Sequence, residues 1–468
     1  MPRKSRGMKE RNYVLKRRFQ HRIALLFPST YEASLSSLGY QIIYYYLNSF
    51  SDVFAERVIS GEGEPVSIET NTPLGRFDLI LATAHYELDY EEIVSSLLKA
   101  GIEPFAEKRN WPPLILGGPV ITANPSPMAK IADAFFLGEF EASGDSFVNS
   151  LSHLNRGEKE EFLESFSDVR GALTPFKRKT EIARVSDLDS AFFPIAQLQN
   201  EHVEPVWGRS FMLETARGCG RGCLFCLEAA VSGPRRERSI NKMKEMIEEG
   251  LEENGVSKVT FFSLSFFDSS AGDELLNALI DMGIEGSIPS VRADAINEER
   301  ARMIREIGQK TVAIAPETGK EGLRERIGKR ISDERILEAA RALAKYGLSV
   351  KLYYMFGLPG EEKEDLDAIA SQVAEIKSMM GKKGKVKVSA NPFIPKPLTP
   401  MWKQGMMPLD ELRRRAKYIK DKLRGIAEVE IYDPRIAWKQ YEININEEDA
   451  YKLIIEGALK KVRSDANW

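Results

Sequence analysis

Cys219, Cys223 and Cys226 are the only thiols in the 468-residue chain, and they fall in one short stretch spaced C-x3-C-x2-C. Thiolates are soft ligands, and three so close in sequence can converge on one soft metal centre. Gly218, Gly220 and Gly222 around them let a loop turn tightly without Cβ clashes. Zinc in a structural site takes four ligands, and here there is no fourth cysteine and no histidine within ten residues on either side. A distant histidine, a redox role for C-x-x-C, and plain burial of three small apolar side chains are the other readings of these residues. An iron-sulfur cube on three cysteines would leave one iron without a protein ligand.

This spacing, with Phe225 just before the last cysteine, resembles the signature of the radical S-adenosylmethionine (radical SAM) enzymes. The resemblance implies a 4Fe-4S cluster on the three cysteines, with S-adenosylmethionine chelated to the open iron through its amino and carboxylate groups. It implies that an electron, delivered by a donor such as ferredoxin or flavodoxin, cleaves the cofactor to methionine and a 5'-deoxyadenosyl radical. That radical takes hydrogen from an unactivated C–H bond, and the protein's part is to exclude water and aim it.

Later stretches resemble the cofactor-contacting strand ends of that family: Ser290-Val291-Arg292, Ala315-Pro316-Glu317-Thr318-Gly319 and Met355-Phe356-Gly357-Leu358-Pro359-Gly360-Glu361. The implied S-adenosylmethionine contacts are Phe225, Ser263, Arg292, Glu317, Met355 and Gly357. Glu317 suits the ribose or amino group, Arg292 the carboxylate, and Gly357 a close backbone approach to adenine. A Gly-Gly-Glu usual in the family is replaced by Phe262-Ser263-Leu264-Ser265, which leaves the amino group to Ser263. No residue is assigned a catalytic role. Each residue taken alone is equally well a strand-end turn or a surface ion pair.

These residues need a scaffold of repeated strand and helix pairs. Apolar runs predict strands at 210–215, 258–262, 286–291, 312–317 and 349–354. Ser332-Asp333-Glu334 opens a helix between the last two, with Ile336, Ala340, Leu343 and Ala344 on one face and Gly347 closing it. This alternation predicts a partial (β/α) barrel with function at the carboxyl ends of its strands. The segment Val388 to Pro397 is expected to cap the barrel mouth, its prolines stiffening a substrate-facing loop.

Upstream, runs at 23–28, 77–84, 113–119 and 134–139 alternate with helices near 34–47 and 90–100, predicting a doubly wound, Rossmann-like parallel sheet. Together with L-I-L-G-G-P-x-x-T-A-N-P and L-G-E-F-E, this order resembles the cobalamin-binding-like domain that precedes the radical SAM core in one subgroup. The resemblance places a corrin among Thr30, Thr83, His85, Gly117 and Gly118. The D-x-H-x-x-G pattern is absent, and none of His21, His85, His153 and His202 sits in its setting, so no histidine is expected on the cobalt. The domains expected are 1–143 (cobalamin-binding-like, with a basic N-terminal arm), 144–208 (linker), 209–400 (radical SAM core) and 401–468 (a small C-terminal α/β extension).

A net charge of −3 supplies no global field for nucleic acid or membrane, so only local patches remain. The basic arm at 1–22 and the helix carrying Arg413, Arg414, Arg415, Lys417, Lys420 and Lys422 are such patches, each read first as a solvated face. No apolar run reaches spanning length and no signal-peptide core is present, which predicts a cytoplasmic protein. Cysteine count prunes the chemistry: sulfur insertion in this superfamily uses further clusters, and one class of RNA methylases uses two further catalytic cysteines. The leading expectation is a cobalamin-dependent methyltransferase acting at an unactivated carbon of an RNA, peptide, lipid or small molecule. The alternatives are a cobalt-free rearrangement, cyclisation or dehydrogenation, and an RNA- or protein-binding module on a vestigial core.

Overall fold

The computed structural model describes residues 10–61, 63–269, 271–381 and 384–466. It divides into two compact units, one running to Arg209 with Glu252–Asn254 and Glu442 onward, the other Ser210–Leu251 with Gly255–Tyr441. Among the described residues no helix is long and apolar enough to cross a membrane.

The first unit is built on β1 (His21–Phe27), β2 (Val53–Ile59), β3 (Leu79–Thr83), β4 (Leu114–Gly117), β5 (Ala134–Phe136) and β6 (Ala172–Leu173), in spatial order β2-β1-β3-β4-β5-β6. Five strands are parallel and β6 is antiparallel at the edge. Central β1 is apolar on both faces, with Ile23, Ala24 and Leu26 fully buried, as a sheet covered by helices on both sides requires. The chain reverses its direction of strand addition between β1 and β3, and a ligand crevice in such a sheet opens there, beyond the carboxyl ends.

β2 escapes the sequence reading because Val53-Phe54-Ala55-Glu56-Arg57-Val58-Ile59 carries two charges, yet Glu56 and Arg57 are both fully buried. Arg57 forks onto Glu10 (Nη1 to Oε1 2.8 Å, Nη2 to Oε2 2.5 Å), and its Nε donates to Glu69 at 2.6 Å. The basic arm is also more engaged than expected. Glu10–Arg11 pairs with Gln199–Asn200, and Lys16 donates to the carbonyls of Phe50 and Val53; residues 1–9 lie outside the described residues.

Residues 144–208, expected as a linker, are part of this unit. Phe147, Phe162, Phe166, Ala172, Ala183 and Leu198 share the buried core with Ile23, Leu25 and Phe136. The expected C-terminal extension is likewise divided: helix Tyr451–Ala466 packs on helix Asp89–Lys99, where Lys461 meets Glu92 at 2.5 Å.

The second unit holds β7 (Phe211–Glu214), β8 (Lys258–Phe262), β9 (Glu285–Ser287), β10 (Thr311–Glu317), β11 (Ser349–Phe356), β12 (Val386–Pro392) and β13 (Glu428–Ile431). There are two parallel sheets, β9-β8-β7 and β10-β11-β12-β13, and an isolated parallel bridge links Val291, after β9, to Ile314 in β10. In β11 burial alternates, Val350, Leu352, Tyr354 and Phe356 pointing toward the helices and Lys351, Tyr353 and Met355 lying half-buried on the other face. Val388–Pro392 is strand rather than mouth-capping loop, because Val386, Val388 and Ala390 continue that buried row.

Candidate functional site: the cysteine loop and the strand-end crevice

The cysteine loop follows β7 at its carboxyl end. Ala216–Arg217 pairs antiparallel with Arg236–Glu237, which closes the base of the loop. Gly218 sits at φ 83°, and a Cβ there would stand 2.6 Å from the Pro234 carbonyl, so only glycine lets the two arms meet. Cys219, Cys223 and Cys226 are each half-buried. Cys226 donates its N–H to Cys223 O at 3.2 Å, closing a backbone turn at the start of helix Leu227–Ser232.

The loop is held from behind by the segment after helix Glu321–Arg326. Leu224 donates to Ile327 O at 2.9 Å, and Met401 donates to Leu224 O at 3.3 Å. Leu224, Phe225 and Met355 pack on a buried cluster of Leu323, Ile327, Leu358, Phe393 and Met401. Two of the expected cofactor contacts, Phe225 and Met355, are therefore brought together in one apolar wall. On the outer side Arg221 forks onto Asp268, Nε to Oδ2 at 2.7 Å. Burial pushes the Asp268 carboxyl up, but the Arg221 hydrogen bonds, aided by Ser265, hold it below its ordinary value.

Arg292 and Glu317 lie at neighbouring strand ends, set by the Val291–Ile314 bridge. Each has a protein partner. Arg292 forks onto Asp294 at 3.0 and 2.9 Å and reaches the Arg330 carbonyl at 3.3 Å. Glu317, buried and at φ 69° beyond a register shift at Ala315-Pro316, accepts from Lys329 Nζ at 2.7 Å. A non-glycine residue in the left-handed region is strained, and such strain gathers at functional sites. Gly357 donates its N–H to Glu361 at 2.7 Å, and a Cβ there would meet Leu412 Cδ2 at 2.5 Å, so this glycine answers first to internal packing. Ser263 is half-buried after β8, its hydroxyl accepting from Ser265 N–H at 3.3 Å.

Lys329, buried within Gly328-Lys329-Arg330, carries no motif that marks it; only the fold brings it here. Burial pushes the Cys223 thiol up, while Lys329 and then Arg292 pull it down and Glu317 opposes them. The Cys226 thiol is also pushed up by burial. Among the described residues no three His, Cys, Asp or Glu side chains are gathered closely enough to hold a single metal ion. What fits a cluster is the donor set: three half-buried thiols on one loop, with two cations that favour the thiolate at Cys223.

In the first unit, Thr30 follows β1, Thr83 and His85 end and follow β3, and Gly117 and Gly118 end and follow β4. Neighbouring strands thus bring all five to the carboxyl edge at the reversal point. Thr30 caps a short helix by accepting from Ala33 N–H at 3.3 Å. A Cβ on Gly118 would lie 2.3 Å from the Ala84 carbonyl, so the two loops touch through backbone. The exposed His85 ring lies 5.7 Å from that of Phe27, its Nδ1 3.7 Å from Asp89.

The basic helix Leu409–Leu423 is largely neutralised: Arg413 pairs with Asp410, Arg414 and Arg415 with Glu411, and Lys422 with Asp367.

Residues 39–175 match the family model "Radical SAM proteins, N-terminal" and residues 213–373 the "Radical SAM superfamily" model. An uncharacterised protein of Methanocaldococcus jannaschii is 33% identical over 81% of this chain and 78% of its own. An uncharacterised methyltransferase of Pyrococcus horikoshii is 24% identical over 54% of this chain and 56% of its own. The solved radical S-adenosylmethionine methyltransferase TsrM of Kitasatospora setae, with cobalamin and a [4Fe-4S] cluster bound, shares the fold at TM-score 0.54, with 13% identity over 82% of this chain and 78% of that one.

Proposed function

Since the chain belongs to the radical SAM superfamily, we propose that it is a methyltransferase acting at an unactivated carbon, with a corrin at the strand-end crevice of its first unit. The observation that carries this reading is the crevice itself: Thr30, Thr83, His85, Gly117 and Gly118 at the carboxyl ends of three adjacent parallel strands, at the reversal point of the sheet. TsrM, bound to cobalamin, and the Pyrococcus relative, named as a methyltransferase, support it. When bound, the cluster supplies the electron that cleaves S-adenosylmethionine, and the corrin supplies the cobalt that carries a methyl group.

The chain's own residues hold and shield. Cys219, Cys223 and Cys226 hold the cluster, and the wall of Phe225, Leu358, Phe393 and Met401 keeps water from its inner side. Arg292 would pair with the cofactor's carboxylate and Glu317 with its ribose or amino group, once Asp294 and Lys329, their partners in this structure, share them. The expectation of a cobalt without a histidine ligand rests on the missing D-x-H-x-x-G pattern.

Spectra of anaerobically purified and hydroxocobalamin-reconstituted protein test the reading. Cluster and corrin together are expected, with the Co(II) resonance free of nitrogen superhyperfine splitting. Splitting would show a histidine or base-on nitrogen on the cobalt and end this version of the reading. A cluster without retained corrin would move the chain to cobalt-free radical chemistry, and alanine at any of the three cysteines is expected to abolish the cluster spectrum.

A further inference from the structure

The segment Ile327-Gly328-Lys329 is pressed onto the cysteine loop on both sides of Cys223. Gly328, at φ 77°, leaves no room for a Cβ, which would stand 2.9 Å from Gly222 O and 3.0 Å from Leu224 Cγ. Leu224 N–H bonds to Ile327 O at 2.9 Å. The next residue, Lys329, is buried, and its ammonium meets the Glu317 carboxylate at 2.7 Å. Glu317 is itself fixed by the strained turn that ends β10. A buried ion pair is seldom kept for stability alone, since apolar residues of like size often serve as well.

We propose that Lys329, oriented by Glu317, is a positioning residue whose charge sets the reduction potential of the cluster held through Cys223, an inference that rests on the cluster reading above. The sign follows from electrostatics. Reduction adds negative charge, a nearby cation stabilises the reduced state, and the potential rises. Lys329 follows directly on Gly328, the residue in contact with the loop at Gly222 and Leu224, so its charge is the one carried by the segment pressed onto the loop.

The test is a reductive titration of reconstituted protein without S-adenosylmethionine, followed by electron paramagnetic resonance, for the parent, Lys329→Met, Lys329→Arg and Glu317→Gln. Lys329→Met is expected to shift the one-electron equilibrium at least tenfold toward the oxidised cluster, about 59 mV downward. Lys329→Arg is expected to restore the parent potential, and Glu317→Gln to raise it. Equal potentials in the parent and Lys329→Met, or equal shifts in Met and Arg variants, would overturn the proposal. Should Lys329→Met lose iron, retention in Lys329→Arg would support a role for the charge, and loss in both would reduce the residue to packing. If the parent itself holds no cluster, the reading above fails and takes this inference with it.

Discussion

Gly328→Ala isolates how the cysteine loop is seated, because Gly347 provides a matched control. Both glycines adopt left-handed backbone, at φ 77° and 67°. A Cβ at 347 meets nothing within 4 Å, whereas at 328 it meets the Gly222 carbonyl at 2.9 Å and Leu224 at 3.0 and 3.2 Å. The backbone penalty of an L-residue, roughly 1–2 kcal/mol, applies to both. At 328 the contact with a backbone oxygen cannot be relieved by a rotamer change, so overpacking adds about 1–3 kcal/mol. The loop is also forced away from Ile327 just where Cys223 sits. Thermal melts with iron counted per chain after anaerobic reconstitution should show a modest, similar backbone cost in both variants. Gly328→Ala alone should melt lower still and bind less iron. Equal melting and equal iron in the two variants would refute the idea that residues 327–329 seat the loop.

Arg324 is fully buried, donating to the carbonyls of Thr318 at 2.7 Å and Ile331 at 2.8 Å and pairing with Asp333. Arg324→Met leaves both carbonyls unpaired and is expected to cost about 3–5 kcal/mol in urea unfolding of the second unit. Glu361 is pushed up to about 7 by burial, against the pull of the Gly357 N–H and Arg415. An acid raised in the folded state contributes stability that is complete below its unfolded value of 4.5 and is lost as pH rises through 7. Relative to Glu361→Gln, the parent is therefore expected to lose on the order of 3 kcal/mol between about pH 5 and about pH 8, followed by urea unfolding at each pH. A flat difference would show that the carboxyl stays ionised against Arg415.

Where a residue's role rests on spacing or on periodic apolar runs, the sequence alone determined it. The cysteine triplet is local, so its shared loop needs no tertiary knowledge, and β8, β10 and β11 are apolar runs whose period marks them as strands. The ordered series of strand ends then put Phe225, Arg292, Glu317 and Met355 on one edge, since parallel strands joined by helices all end on the same side. What depended on partners distant in the chain could not be read. β2 goes unassigned in the sequence because Arg57 is paired only by Glu10 and Glu69, which lie outside the strand. Residues 144–208 look like a connector until Phe147, Phe162 and Phe166 find the core beside β1. Lys329 is one lysine among many until Gly328 meets Gly222 and Glu317 turns toward it. Burial makes an ionised group costly unless it is paired, and pairing is settled by which segments fold against one another, so only the tertiary structure decided these charges.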